Sequence, residues 1–142
     1  MPRPAAKQKR PGLRPPGLAE EAQPFVHDEI VRGIAASRVK ELIDRGVLAA
    51  KQVYRVIPER TFSRRLANGE ALKVAEADAI ARLLRVTEAA NKTFGDDAFA
   101  KKFMNLPNPA LRDRIPIELA ETDAGAREVE AILSRIAYGD FT

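Results

Sequence analysis

The chain has 142 residues, 45% of them apolar and 31% charged, enough for one compact domain or two small packed ones. It has no cysteine and one histidine, His27. That excludes a disulfide scaffold, a thiolate zinc site and a cysteine nucleophile, and it fits a reducing cytoplasm. The net charge of +4 is unevenly placed: +3 over residues 1–24, +4 over 25–69 and −3 over 70–142, which suggests two partners, one of them polyanionic.

Residues 1–24 hold six of the ten prolines and no aromatic or β-branched side chain. Such a segment buries too little apolar surface to offset its ordering entropy, so a disordered basic arm is expected. It lacks the apolar core of a signal peptide, and no apolar run in the chain approaches the ~20 residues of a membrane span.

Helical spacing then predicts helices over residues 25–36, with Ile30, Val31 and Ile34 on one stripe, and 38–45, with Val39, Leu42 and Ile43. His27, beside Asp28 and Glu29, reads as a helix-start residue, Ser37 as a cap and Gly46 as a stop. From Val47 a buried face is expected through Leu48 or Ala49, Val53, Val56 and Ile57. Pro58 breaks that helix and opens another, in which Phe62 and Leu66 face inward and Asn68–Gly69 ends the run.

Two short helices joined by a tight break, the second polar outside, form a helix-turn-helix pattern. The candidate DNA-binding residues are Arg60, Thr61, Ser63, Arg64 and Arg65. Arginines clamp phosphates or pair with guanine edges, and hydroxyls suit phosphates and bases. The same pattern also describes an ordinary helical hairpin with a solvated basic face.

A long helix over 74–94 follows, with Ile80, Leu83, Leu84, Thr87 and Phe94 in phase. Gly95 stops it, Asp96–Asp97 start the next, and Ala98, Phe99, Phe103 and Met104 are its expected apolar face. Pro107 and Pro109 make a bent corner over 105–111, and Pro116 opens a short helix over 116–121. Thr122 and Asp123 offer caps for a last helix that places Ala126, Val129, Ile132, Leu133 and Ile136 on one stripe. Nothing in that periodicity accounts for Tyr138 and Phe141, which are residue types favoured as interface anchors.

Four strings, IPERTFSRR, ADAIARLLRV, LPNPALRDRIP and DAGAREVEAILSRIAYG, make residues 30–141 resemble bacterial antitoxins of the Xre/MbcA/ParS type, which pair with RES-domain toxins. The last two, in series and at this spacing, are specific; the first is common to many DNA-binding folds. Members usually have glycine at the helix-turn-helix break, where Val56–Ile57 stand, glycine after the corner's leucine, where Arg112–Asp113 stand, and Ser or Thr where Ile115 precedes Pro116.

The resemblance implies an all-α chain: an Xre-like helix-turn-helix half (25–69) joined by a long helix to a helical toxin-binding and dimerisation half (70–142). It implies a homodimer that binds its own promoter and blocks an NAD⁺-consuming toxin, itself neither an enzyme nor a cofactor, metal or small-molecule binder. Its toxin-binding residues would be Asn108, Arg127, Glu128, Arg135, Tyr138, Asp140 and Phe141. The alternative is a stand-alone repressor whose C-terminal half only dimerises.

Overall fold

A computed structural model describes residues 25–139. The proposed arm and the expected contacts of Asp140 and Phe141 lie outside the described residues. Among those described, the secondary structure is helical throughout apart from two isolated bridges.

Helix α1 (His27–Arg32) carries Asp28 and Glu29 in its first turn, where the helix dipole favours acids, and Glu29 accepts the Val26 N–H at 3.3 Å. It ends earlier than the pattern predicts. Gly33 adopts φ 115°, and residues 34–35 run extended, with Ala35 bridging Ala71 and the Leu72 N–H donating to the Ile34 carbonyl at 2.8 Å. Ile34 is buried by this pairing and Val31 is exposed, so the expected Ile30–Val31–Ile34 stripe does not form.

Helix α2 (Ala36–Asp44) buries Val39 and Leu42; Ser37 falls inside its first turn, and Ala35 holds the cap position. Helices α3 (Ala50–Val56) and α4 (Glu59–Asn68) meet at Ile57–Pro58. Ile57 has φ −129°, ordinary extended backbone, and is fully buried. The break therefore needs no glycine, because the chain turns on an apolar anchor. Gly69, at φ 66°, closes α4 in the left-handed conformation that glycine adopts without penalty.

Helix α5 (Val74–Phe94) is the spine. Ala77, Ile80, Ala81, Leu83, Leu84, Val86 and Ala90 are buried, more than one stripe, because α5 is covered on several sides. Helix α6 (Asp97–Asn105) and helix α8 (Asp123–Ala137) both pack along it, and α1 and α3 touch it from the N-terminal half. A 3-10 turn (Pro109–Leu111) and helix α7 (Pro116–Leu119) close the C-terminal half. Asp96 caps α6, accepting the Ala98 N–H at 2.9 Å, and Thr122 caps α8, accepting the Gly125 N–H at 2.9 Å. Asp123 sits one place further on, inside the helix.

The inner face of α6 is Ala100 and Met104, with Phe103 half-buried; Ala98 and Phe99 point outward, against the sequence expectation. Along α8 the expected stripe is found, with Ala126, Val129, Ile132 and Leu133 buried and Ile136 partly so. A Leu133 or Leu84 buried this fully contributes about 1.5–3 kcal/mol. An ion pair links the halves, Arg55 of α3 bonding Glu121; within the C-terminal half, Arg82 donates to the Glu121 carbonyl at 3.2 Å.

Candidate functional site

Two surfaces carry the sequence-derived candidates. The first is the outer side of α4. Arg60, Ser63 and Arg64 are exposed and Thr61 is half-exposed, so these four share a solvent face. Arg64 makes a long 3.4 Å contact with Glu70, which leaves its guanidinium available to a stronger anion. Arg60 has no ion-pair partner among the described residues.

Arg65 does not belong to this face. Three residues after Phe62, it shares that side chain's inward side, is only 6% exposed, and bonds Glu76 of α5. Its charge is spent on holding α4 to the spine. Burial alone would raise the Glu76 pKa. The Arg65 bond, the Lys73 N–H at 2.9 Å and the charges of Arg65 and Lys73 outweigh it and hold the carboxyl below its ordinary value.

The second surface runs from the corner to the end of α8. The corner is tightly tied. The Asn108 side chain accepts the Ala110 N–H at 2.9 Å, its backbone N–H donates to the Arg114 carbonyl at 3.1 Å, and its carbonyl accepts the Asp113 N–H at 2.9 Å. This closure forces Arg112 and Asp113 to φ 58° and 60°, a left-handed pair without glycine. Arg112 then reaches Glu128 of α8 at 2.8 Å, fixing the corner against the helix. Asn108 and Glu128 are thus already engaged in building the surface.

Along α8, Arg127 and Arg135 are exposed and Glu128 is half-buried; Arg127 pairs with Asp123 at 2.8 Å. Arg85 of α5 bonds Glu130 at 2.7 Å and has Asp123 at 3.8 Å; the Glu130 bond chiefly keeps that guanidinium above its ordinary value. Tyr138 is 85% exposed at the helix end rather than folded back on the core. Arg127, Glu128, Arg135 and Tyr138 recur at helical spacing on the side of α8 that faces away from α5. The structure therefore gathers these four on one face, with Asn108 in the adjoining corner.

A cleft of about 380 Å³ separates the 43–52 segment from α5 and α6. Val47, Leu48, Leu83, Met104 and Ile117 make its walls largely apolar. Among the described residues no group of three or more His, Asp or Glu is placed to hold a metal ion. No helix among the described residues is long and apolar enough to cross a membrane.

Residues 89–139 match the family model described as the antitoxin Xre/MbcA/ParS C-terminal toxin-binding domain. That span takes in the end of α5, α6, the corner, α7 and α8. The chain is also 32% identical over 124 residues to antitoxin Xre of Pseudomonas putida, covering 87% of this chain and 77% of that one. The chain belongs to the Xre/MbcA/ParS antitoxins. Antitoxin Xre of Yersinia enterocolitica is 37% identical over 87 residues, 61% of this chain and 59% of that one. Antitoxin Xre of Photorhabdus laumondii is 26% identical over 135 residues, covering 93% and 91%. This is a family of antitoxins and not of enzymes, and the antitoxin's own partner is a toxin.

Sequence reasoning missed two features of the antitoxin. The Arg112–Glu128 strut joins residues 16 apart in a corner whose path is not periodic. Phe99, expected on the apolar face of α6, is exposed, since apolar spacing marks a face without saying what covers it.

Proposed function

We propose that this antitoxin neutralises a RES-domain, NAD⁺-consuming toxin by laying the outer face of α8 and the adjoining corner over the toxin's active site, in the cytoplasm, and that it represses its own operon as a homodimer. The observation that carries the reading is the coincidence of the toxin-binding family span, residues 89–139, with a built but unpartnered surface ending in the 85%-exposed Tyr138. An aromatic left in water at a rigid helix end is a ready anchor for a partner pocket. Arg135 beside it supplies a charge-assisted donor.

The N-terminal residues 25–69 supply the DNA-binding part of the proposal, and 70–142 the toxin-binding and dimerising part. Arg60, Thr61, Ser63 and Arg64 on α4 suit phosphate clamping and base contact in a major groove. Arg65 is left out of that set; its role is to hold α4 at a fixed angle on α5. A stand-alone repressor with a C-terminal half that only dimerises would leave the toxin-binding family match without a purpose.

The test is co-expression with the product of the adjacent reading frame. The proposal expects the two proteins to co-purify and cellular NAD⁺ to be preserved only when the antitoxin is present. A neighbour that neither binds the chain nor depletes NAD⁺ would refute the RES assignment.

A further inference from the structure

Helix α6 carries an apolar edge that the described residues leave partly open. Phe99, 56% exposed, and the half-buried Phe103 lie one turn apart on α6, and Leu106, 54% exposed, follows at its extended C-cap. Phe94, at the end of α5, extends the patch, with its ring 5.0 Å from Phe99 and 5.2 Å from Phe103. An exposed Phe99 and Leu106, backed by the half-buried rings of Phe94 and Phe103, make an apolar patch of the kind interfaces use.

The charges beside the stripe say what the occupant is. Asp96 lies three residues before Phe99 and Lys102 three after, and both are exposed. The pattern is self-complementary under reversal: a second α6, antiparallel and centred on Phe99, sets each Asp96 opposite the other copy's Lys102. A two-fold interface requires that property of one surface; a toxin or a nucleic acid does not. We propose that this face is where a second copy of the chain docks, α6 against α6 about a two-fold axis at Phe99, the two aromatic clusters meeting across it. The inference rests on the homodimer reading above and adds to it the surface.

The chain has no cysteine, so Phe99→Cys introduces a single thiol at the proposed axis, where a disulfide needs Cβ atoms within about 4.5 Å. The experiment is sedimentation equilibrium of the full chain and of Phe99→Glu over a concentration series, with oxidation of Phe99→Cys followed by non-reducing electrophoresis. We expect the parent chain to be a dimer, Phe99→Glu to raise the dimer Kd by about 30-fold or more, and Phe99→Cys to convert to a covalent dimer. Lys102→Glu should weaken the dimer about threefold to tenfold. Adding Asp96→Asn, which keeps the cap of α6, should recover most of that loss.

A parent chain monomeric at every concentration would remove the homodimer reading and this inference with it. A parent dimer in which Phe99→Glu still dimerises and Phe99→Cys does not cross-link would leave the homodimer standing and overturn the α6 surface. The same surface is overturned if Phe99→Glu stays dimeric but no longer binds the toxin, for the patch would then belong to the toxin.

Discussion

Arg64 and Arg65 are neighbours of one type with opposite fates, and the difference is geometric. Arg64 points to solvent with a loose contact to Glu70; Arg65 lies on the Phe62 side of α4 and is buried against Glu76. Replacing Arg60 and Arg64 by Ala should therefore weaken operator binding and reduce the slope of log K against log salt by about 2, one for each lost phosphate contact. Protein stability should hold. An unchanged slope at matched salt series would remove α4 from the DNA contact.

Arg65→Ala should instead lower the thermal midpoint, since it leaves the mostly buried Glu76 carboxylate without its cation. The pH dependence has a definite sign. Glu76 titrates lower in the folded chain than unfolded, so its contribution is whole above the ordinary carboxylate value, near 4.3, and is lost as pH falls through the folded value. Glu76→Gln should flatten the fall in thermal midpoint below about pH 5. An acid limb identical to the parent's would show that the pair carries no linkage. The position of Arg65, three after Phe62, was visible in the sequence, but its partner 11 residues away across a turn was not.

Among the elements, the spine was the most legible. Twenty-one residues of amphipathic pattern bounded by a linker and Gly95 leave little choice, and α5 spans Val74–Phe94 as the spacing predicts. The end of α1 was not legible, because the pairing of Ala35 with Ala71 that replaces its last turn joins residues 36 positions apart. The corner was half legible: the prolines announced a break, whereas the left-handed Arg112–Asp113 pair follows from bonds that close on Asn108. Leu84, 1% exposed in mid-spine, should cost about 2–5 kcal/mol on truncation to Ala, read by denaturant unfolding. Gly125 is a sharper probe of how α7 meets α8. A Cβ there would stand 1.9 Å from the Leu119 carbonyl oxygen, a backbone atom that cannot step aside. Gly125→Ala should cost about 3 kcal/mol or more, at or above the upper end of ordinary overpacking. A cost under about 1 kcal/mol would mean the α7–α8 junction is looser than described.

At the scale of the whole molecule, the basic N-terminal half and the acidic C-terminal half are joined through one spine helix and by ion pairs such as Arg55–Glu121. The all-α class and the antitoxin family were legible because helical periodicity and the corner and last-helix strings survive in the sequence. Which members of the last helix face outward was legible too, whereas the bonds of Asn108 and Glu128 were not. The central claim is that the exposed end of α8 grips the toxin. The most direct measurement is calorimetric titration of the co-encoded toxin with the full chain and with a chain ending at Ala137, each first shown to be folded and to bind operator DNA. The account predicts that the shortened chain loses toxin affinity by about 100-fold or more, as expected for removing an aromatic hot spot and its neighbours. Equal affinity for the two chains would contradict it.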